Sequence, residues 1–201
     1  MIQYKKFADY DAYVKKQGGK ISFSLDKIKE KNSSRRIKFE SIFKKVKNDF
    51  LKGNILCLGA RTGCEVVAAR NLGYKNSLGL DLYPVGDLVV EGDWHKMLFG
   101  PDRFDNAFCN SLDHCFDLPV LVQELKNVLK PNGIFYFMVM KKMALCTVEG
   151  SIPDRMASRA YDSMFWDTEQ DIIDEFLSYG FELKKTWTDT KWFNCILRNI
   201  K

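Results

Sequence analysis

The sequence of 201 residues contains no apolar run long enough to cross a bilayer. Its most apolar stretch, residues 134–140, is far shorter than the roughly 20 residues that a membrane-spanning helix needs. The amino terminus, MIQYKKFADYD, carries charges where a secretory signal would carry its apolar stretch. We therefore expect a cytoplasmic protein with no membrane partner, folded as one domain because its 46% of apolar residues suffice for a full core.

Metal-binding and disulfide patterns are scarce as well. The six cysteines include no CxxC pair, and several of them lie within apolar, strand-like runs. We therefore predict free buried thiols rather than disulfides. Since His95 and His114 are the only histidines in the sequence, we also expect no metal ion.

Positive charge is abundant but concentrated near the amino terminus. Residues 1–52 hold 15 Lys/Arg against 6 Asp/Glu, a net charge of +9, and the remaining 16 Lys/Arg and 20 Asp/Glu bring the total to +5. Two interpretations of this segment stay open. It is either an electrostatic footprint for an anionic partner or the solvated face of a helix.

From residue 53 onward, short apolar runs alternate with amphipathic stretches. The pattern predicts strands at 54–59, 77–82, 88–91, 104–110 and 134–139, and helices at 63–72, 118–129 and 168–179. Pro131 and Gly133 mark a turn before the fifth of these strands. Two last strands, 181–188 and 192–197, are close enough in sequence to pair as a hairpin.

This alternation predicts an α/β fold, a three-layer sandwich around a doubly wound, mainly parallel seven-stranded sheet with an antiparallel edge strand. We divide the single domain, 1–201, into four parts. They are a basic extension that is helical over 33–51 (1–52), a core (53–140), an insertion or lid (141–165), and a closing helix and hairpin (166–201). Ligands of such sheets bind beyond the carboxyl ends of the strands, where the strand order reverses.

Two groups of aromatic residues have two interpretations each. Four aromatics spaced by three predict one face of an amino-terminal helix that packs on the sheet edge or contacts a ligand: Tyr4, Phe7, Tyr10 and Tyr13. Three more, at or after the insertion, belong either to a lid or to the ordinary core: Tyr161, Phe165 and Trp166.

The stretch ILCLGARTGCE, residues 55–65, joins the first predicted strand to the first predicted helix through a turn flanked by glycines. A dinucleotide-binding turn would need glycine at positions 59, 61 and 64, and only Gly59 matches, which disfavours NAD(P) and FAD. The turn resembles instead the looser GxGxG turn of class I S-adenosylmethionine-dependent methyltransferases. Gly59 and Gly63 keep its flanking positions free for close backbone approach.

The resemblance continues in order from about residue 54 to residue 139. It includes GLDLYP, EGDWHKMLF, RFDNAFCNSLDH and LKNVLKPNGIFYF, and it is closest to small-molecule enzymes similar to methyltransferase domain family 11. It implies a Rossmann-like methyltransferase fold, S-adenosyl-L-methionine as the cofactor and 53–140 as the cofactor-binding core. The implied reaction is methyl transfer to a small-molecule or sugar acceptor, and we expect an oxygen atom to be methylated.

The resemblance also implies roles for individual residues. Asp81 would hold the ribose hydroxyls, Asp93 would accept from the adenine amino group, and the backbone at Trp94 would address the adjacent ring nitrogen. Without a ligand role, Asp81 would be a turn residue and Asp93 a helix N-cap. The full set of implied cofactor-binding residues is Gly59, Ala60, Arg61, Gly63, Glu65, Asp81, Leu82, Asp93, Trp94, Asn110 and Ser111.

Two positions depart from the family pattern. Cys57 stands where the family commonly carries an acid that helps to hold the methionine end of the cofactor, and Arg61 replaces the middle glycine. Either position 61 accepts a negative φ with its guanidinium pointing outward, or the loop has lost its cofactor. Glu65, in the first turn of the following helix, either takes over the contact with the cofactor's ammonium group or complements the positive helix end.

Two residues that follow the fourth predicted strand are candidate catalytic groups. The ordinary pKa of histidine lies near neutrality, so His114 suits a general base that takes the acceptor's proton. Asp113 would share that role or orient the imidazole. Alternatively, His114 caps or packs under the next helix.

Two further functions stay open as alternatives. An RNA methyltransferase would use the basic segment 1–52, although no RRM or KH motif supports nucleic-acid binding, which we do not expect. A degenerate binding module without catalytic activity would follow if Cys57 and Arg61 had abolished the site. The sequence leaves open the acceptor, which would be anionic if the basic segment binds it, and the oligomeric state.

Overall fold

The computed structural model of the protein describes residues 1–19, 25–140 and 162–201, with side chains from residue 32 onward in the second segment. The elements follow one another as β1 (Ile2–Tyr4), α1 (Tyr10–Gly18), α2 (Leu25–Val46), β2 (Ile55–Leu58), α3 (Cys64–Asn71), β3 (Leu78–Asp81), β4 (Val89–Glu91), β5 (Phe104–Cys109), α4 (Leu118–Val128), β6 (Leu129–Met140), β7 (Met164–Trp166), α5 (Glu169–Ser178), β8 (Phe181–Thr188) and β9 (Trp192–Asn199). Most of the predicted insertion or lid, Tyr161 included, lies outside the described residues.

A seven-stranded sheet forms the centre of the fold, in the order β4-β3-β2-β5-β6-β9-β8. The strands from β4 to β6 are parallel, and β9 pairs antiparallel with both β6 and β8. The predicted doubly wound sheet and its closing hairpin are therefore confirmed. The antiparallel strand lies one position in from the edge, and β8 is outermost. The strand order reverses between β2 and β5, which places a ligand crevice at their carboxyl ends.

Apolar side chains cover both faces of this sheet, as a parallel sheet requires. One cluster joins the sheet to α2 and α3 and contains Phe43, Val66 and Phe108. The other joins it to α4 and α5 and contains Leu121 and Phe176. The result is the three-layer sandwich that the alternating pattern predicts, with each helix burying its apolar stripe against the strands.

The boundary between α4 and β6 differs from the prediction. The residues around Pro131 and Gly133 were expected to form a turn before a strand at 134–139, whereas β6 begins at Leu129 directly after the helix. The pairing with β5 is irregular at this point, shifting between Phe104 and Asn106, and Asn132 has a positive φ of 62°. Pro131 and Gly133 are therefore part of β6, and the predicted turn is present as a break in the register between β6 and β5.

The amino-terminal segment also differs from the prediction. Tyr4 lies in β1, which pairs antiparallel with β7, so the four aromatics do not share one helix. The helix α1 begins after the N-cap Asp9, whose carboxylate accepts from the backbone N–H of Ala12 at 2.7 Å. Backbone pairing with β7 outweighs the helical spacing of the side chains because it satisfies the N–H and C=O groups of residues 2–4. The second helix, α2, begins at Leu25, earlier than expected.

Burial settles two smaller predictions. Phe165 and Trp166 are buried in β7, so they belong to the core rather than to a lid. Five of the cysteines are free and buried, as predicted, and Cys146 lies outside the described residues. Within the described part of the chain, no helix is long and apolar enough to cross a membrane.

Candidate active site

A cavity of about 330 Å³ opens at the carboxyl ends of β2, β3 and β5, where the strand order reverses. Its size is in the range of small-molecule sites. The parallel core and the amino-terminal extension both contribute walls. The described lining residues are Gly59, Arg61, Leu80, Asp81, Leu82, Gly92, Trp94, Ser111 and His114 from the core, and Tyr13, Gln17 and Arg35 from the extension.

The turn after β2 keeps part of this cavity open because it contains no side chain at Gly59. This glycine has a φ of 68°, and a Cβ atom there would lie 3.1 Å from the Ser111 side chain and 3.3 Å from the Trp94 ring. Gly63, with a φ of 72°, is the N-cap of α3 and lets the chain turn into that helix. Any other residue at Gly59 would be strained and would crowd Ser111 and Trp94.

Arg61 does not adopt the arrangement that the sequence suggested for a retained turn. Its φ is 29°, so the expected negative φ is wrong, and its guanidinium does not point outward. The backbone N–H of Arg61 donates to Asp81 Oδ2 at 3.0 Å, and its Nε lies 3.5 Å from Asp81 Oδ1. The paired carboxylate compensates for the missing glycine, because it holds both the backbone and the side chain of Arg61 at the cavity wall.

Asp81 therefore organises the turn as well as the cavity. Its side chain is buried, and besides Arg61 it accepts a hydrogen bond from the backbone N–H of Tyr83 at 2.9 Å. These hydrogen bonds give Asp81 the role of a turn residue, one of the two roles that the sequence suggested. Asp81 also lines the cavity, as does Leu82. Ala60 is buried behind the cavity, where its Cβ packs against Gly79.

Asp93 has two side-chain partners of its own. Its carboxylate accepts from the Tyr10 hydroxyl and from the backbone N–H of His95 at 2.8 Å, and His95 Nδ1 lies 3.0 Å away. Burial acts to raise the pKa of Asp93, but these hydrogen bonds outweigh it and lower the pKa below its ordinary value. Trp94, beside it in sequence, lines the cavity, whereas Asp93 is not among the described lining residues.

His95 forms hydrogen bonds that join two loops beside the cavity, a role that the sequence did not indicate. Its Nε2 accepts from the backbone N–H groups of Phe116 at 3.2 Å and Asp117 at 3.3 Å. The proton of a neutral imidazole is then on Nδ1, where it donates to Asp93. His95 thus joins the loop after β4 to the loop before α4, and Tyr10 adds α1 to the same network.

Glu65 is the most unusual charged group of the site. It is 1% exposed, and neither of its carboxylate oxygens has a hydrogen-bond donor among the described residues. Burial raises the pKa of Glu65 to about 7. The nearest cation is Arg35 on α2, whose Nη2 lies 3.8 Å from Glu65 Oε1, too far for a hydrogen bond. Glu65 is not among the described lining residues, so its carboxylate lies buried behind the cavity wall.

Cys57 lies in the middle of β2 and is completely buried. Burial raises the pKa of its thiol well above the ordinary value, so the thiol is neutral at physiological pH. Cys57 therefore does not supply the negative charge of the acid that the family commonly has at this position. Among the described residues near this strand, Glu65 is the group that can supply it.

The candidate catalytic residues follow β5. His114 lines the cavity, and its Nδ1 lies 3.8 Å from Oδ1 of Asp162, a residue that the sequence did not single out. Asp113, His114 and Asp162 bring ligand atoms within 4.8 Å of one another, a closer gathering of potential metal ligands than the sequence suggested. Ser111 also lines the cavity, and its hydroxyl donates to Asn110 Oδ1 at 3.2 Å.

The helix α1 covers the cavity through several side-chain contacts. The Tyr13 hydroxyl donates to the carbonyl of His114 at 3.0 Å, and Gln17 Nε2 donates to Ser163 Oγ at 3.3 Å. The hydroxyl of Tyr83 donates in turn to the carbonyl of Val14 at 3.1 Å. Of the predicted aromatic face, Tyr13 does line the cavity. Gln17 and Arg35 are lining residues that the sequence analysis missed, since the residue types around them carry no local signal.

Residues 56–137 match the family described as a methyltransferase domain. The matched segment, somewhat less than half of the chain, contains β2 to β5 and nearly all of β6, and with them the turn at Gly59 and the strand ends at the cavity. The protein carries an S-adenosylmethionine-dependent methyltransferase domain. The cofactor of this methyltransferase is S-adenosylmethionine. A search of curated protein sequences finds no match to the chain.

Solved structures with the same fold include several methyltransferases. One from Listeria monocytogenes, titled a putative S-adenosylmethionine dependent methyltransferase, is 16% identical with a TM-score of 0.60, over 82% of this chain and all of that one. A putative methyltransferase in complex with the Haloferax volcanii Trm112 activator is 14% identical with a TM-score of 0.68, over 98% and 100% of the two chains. A putative sarcosine dimethylglycine methyltransferase from Galdieria sulphuraria is 14% identical with a TM-score of 0.62, over 82% and 84%. At such identities the likeness establishes the fold alone.

Proposed function

We propose that this methyltransferase methylates an oxygen atom of a small molecule or sugar. The observation that carries the proposal is the sharing of one cavity of about 330 Å³ by the turn at Gly59, by Asp81 and Trp94, and by His114. A cavity of this size lies at the small end of the range for small-molecule sites, which favours a small acceptor over a bulky one. The bound cofactor supplies a sulfonium methyl group for in-line displacement.

The chain's own residues bind and orient the reactants. Gly59 allows close backbone approach, Asp81 accepts hydrogen bonds from the ribose hydroxyls, and the backbone at Trp94 addresses the adenine ring. Asp93 retains its proposed role at the adenine amino group, for which it keeps lone pairs beyond those used by Tyr10 and His95. Alignment of the reacting atoms contributes most of the rate enhancement in such a reaction.

The methyl end of the site is formed by the residues that follow β5. Asn110 and Ser111 line the position of the methyl group, and His114 accepts the proton of the acceptor hydroxyl. Asp113 assists by orienting the imidazole, and Asp162 Oδ1 lies 3.8 Å from His114 Nδ1. Closure by α1 excludes water from this region.

The proposal is tested in two steps. Calorimetric titration with S-adenosylhomocysteine is expected to show one binding site per chain. A panel of hydroxyl, amine and carboxylate acceptors is then assayed with S-adenosylmethionine, with formation of S-adenosylhomocysteine as the readout. Turnover with a hydroxyl acceptor supports the proposal, whereas turnover restricted to amines contradicts oxygen as the acceptor atom. Binding without turnover of any acceptor would identify a binding module instead.

The net charge of +9 in residues 1–52 supports an anionic acceptor. Lys15 and Lys16 are exposed on α1, next to Gln17 in the cavity wall. Reversing both charges (Lys15→Glu, Lys16→Glu) should raise the KM of an anionic acceptor and leave that of a neutral one unchanged. Equal KM values for the variant and the wild type would argue against this preference.

The same positive charge favours RNA as a second candidate acceptor. The exposed lysines and arginine of α2 include Arg36, Lys38, Lys44 and Lys45. An RNA substrate predicts an affinity that falls steeply with salt, because bound phosphates release counterions. A flat dependence of RNA affinity on salt concentration would remove this candidate.

A further inference from the structure

The pairing of α2 with α3 places a cation that lines the cavity next to a buried anion from a different part of the chain. Arg35 lines the cavity from α2, and its Nη2 lies 3.8 Å from Oε1 of Glu65 on α3. The two helices pack against each other, and hydrogen bonds join them at two further points. Cys64 Sγ donates to Asn32 Oδ1 at 3.3 Å, and Asn71 Nδ2 donates to Glu40 Oε1 at 2.6 Å. The position of Arg35 at the cavity is therefore fixed by the packing of α2.

The pair is incomplete as it stands. A separation of 3.8 Å provides Coulomb attraction but no hydrogen bond, and both Glu65 oxygens lack a donor among the described residues. A buried carboxylate is stable when donors surround it. Glu65 is not among the described lining residues and lies behind them, next to Arg35, so a ligand group that reaches past Arg35 from the cavity would supply the missing donors. The guanidinium of Arg35 is partly exposed, with 58% of its side chain covered. It has donors to offer in return.

A zwitterionic amino acid matches this pair group by group. An ammonium group carries three donors, which suits the two unpaired oxygens of Glu65. A carboxylate accepts two parallel hydrogen bonds from a guanidinium, which suits Arg35. S-adenosylmethionine carries such an amino-acid end, and the neutral thiol of Cys57 offers it no charge partner.

We infer that Arg35 binds the carboxylate of the cofactor's amino-acid end and acts as a pair with Glu65, which binds the ammonium group. The inference rests on the proposed function, and it gives the extension 1–52 a direct part in cofactor recognition. The negative charge that the family commonly has on the first strand of the core is then supplied by Glu65, at the start of α3. Its cationic partner comes from a helix that precedes the matched domain.

The carboxylate contact is tested by calorimetry with S-adenosylmethionine and its decarboxylated form, which differ at that group alone. Wild-type protein is expected to bind S-adenosylmethionine about ten- to a hundred-fold more tightly, as for a hydrogen bond to a charged group. Arg35→Ala should remove this preference. The control is Arg36→Ala, which makes the same change of charge one residue away, at a side chain that pairs with Glu40. It should retain the wild-type preference.

The ammonium contact is tested with S-adenosylhomocysteine and 5′-methylthioadenosine, which lacks the whole amino-acid end. Glu65→Gln keeps the size of the side chain and removes its charge, so it should weaken S-adenosylhomocysteine binding and leave 5′-methylthioadenosine binding unchanged. Thermal unfolding of each variant checks that the fold is retained. If Arg35 and Glu65 act as a pair, the losses in the double variant should also be non-additive.

The outcomes distinguish a failure of the inference about Arg35 from a failure of the proposed function. If the wild type binds S-adenosylmethionine and its decarboxylated form equally, or if Arg35→Ala weakens both by the same factor, Arg35 does not read the carboxylate and the inference is wrong. The proposed function would survive that result. If the wild type binds neither S-adenosylmethionine nor S-adenosylhomocysteine, the proposed function itself fails, and the inference fails with it.

Discussion

The sheet wall of the cavity, formed by the ends of β2, β3 and β5, is held by backbone hydrogen bonds, whereas the helical wall, formed by α1 and α2, is held by side chains. Gly59 N–H donates to the carbonyl of Leu80 at 2.8 Å, and Gly92 N–H donates to that of Asp81 at 3.0 Å. On the helical wall, the tyrosine hydroxyls of α1 and the pair of Arg35 with Glu65 make the contacts. Backbone pairing continues the regular sheet, so we expect the sheet wall to form independently of the helical wall.

Because the two walls are held differently, we expect them to have different roles in binding. In the proposed site, the sheet wall would bind the adenosine part of the cofactor, and the helical wall would bind its charged end and cover the reacting groups. A single substitution can remove a contact of the helical wall, whereas backbone bonds survive most side-chain changes. The following predictions, ordered from the largest expected effect to the smallest, test that comparison.

Replacing His114, a side chain of the sheet wall, should affect the reaction rather than binding. His114→Gln is expected to lower kcat by about 10²- to 10⁴-fold, the usual contribution of a general base. The affinity for S-adenosylhomocysteine should stay at its wild-type value, as measured by calorimetry. Loss of the acidic limb of the kcat profile against pH would identify the base. An equal loss of cofactor affinity would instead mean that His114 shapes the cavity.

Glu65, buried in α3 behind the cavity, should make stability depend on pH. The pKa of Glu65 is raised from 4.5 to about 7 in the folded protein, so the folded state retains a proton that the unfolded chain releases. The free energy of unfolding should therefore fall as pH rises from about 4.5 to about 7, by about 3 kcal/mol in total.

Denaturant unfolding of the wild type and of Glu65→Gln between about pH 5 and about pH 8 measures this component. The variant should lack the decrease that Glu65 causes. Glu91→Gln, at an exposed position, is the matched control and should follow the wild type. Parallel curves for the wild type and Glu65→Gln would show that Glu65 has an ordinary pKa. Saturating S-adenosylhomocysteine should reduce the decrease, since its ammonium group would stabilise the ionised form.

Asp81→Ala tests the side chain that organises the sheet wall. The variant leaves the backbone N–H groups of Arg61 and Tyr83 without their acceptor, and it removes the proposed contact with the ribose. The affinity for S-adenosylhomocysteine should fall about ten- to a hundred-fold. The exposed Asp87 provides the control, and Asp87→Ala should bind as the wild type does. If Asp81→Ala binds S-adenosylhomocysteine as tightly as the wild type does, Asp81 does not contact the cofactor.

Gly59→Ala separates backbone strain from crowding of the cavity. Alanine at Gly59, with a φ of 68°, should cost about 1–2 kcal/mol of folding free energy. Gly73→Ala, at a φ of 100° with nothing within 4 Å of the added Cβ, should cost a comparable amount. Gly59→Ala alone should also weaken cofactor binding, because its Cβ approaches Ser111 and Trp94. Equal cofactor affinities for the two variants would mean that Gly59 serves the backbone only.

Tyr10→Phe tests the attachment of the helical wall. It removes the hydroxyl that donates to Asp93, and a hydrogen bond to a charged group contributes about 1.5–3 kcal/mol. Part of this loss is recovered because His95 still donates to Asp93. Hydrogen exchange of the α1 amides should become faster, while the amides of β2 and β5 exchange at wild-type rates. Uniformly faster exchange would show that the two walls unfold as one unit.

Much of the sheet wall was predictable from the sequence because its signals are local. An apolar run followed by Gly59 predicts a strand and a turn, and Asp81 follows the next run directly. The conformation of Arg61 was not predictable, because its positive φ depends on a carboxylate twenty residues away. The same applies to Asp93, since its partner Tyr10 comes from a different part of the chain.

The helical wall was largely unpredictable for the same physical reason. Nothing in the sequence distinguishes Arg35 from Arg36, and the two differ in that the first faces the cavity and Glu65. The aromatic spacing of the amino-terminal segment pointed to a helix, yet Tyr4 is in a strand because a partner strand, β7, exists more than 150 residues later. Pairing with a strand that lies far away in sequence leaves no pattern in the residues around Tyr4.

The sequence by itself determined the order of strands and helices, the doubly wound sheet, the glycine turn and the kinship with methyltransferases, because periodicity and turn residues act over short distances along the chain. The tertiary structure decided which side chains meet at the cavity: Arg61 with Asp81, Tyr10 with Asp93, and Arg35 with Glu65. These pairs join residues that are far apart in sequence, so their geometry exists only once the helices have packed on the sheet.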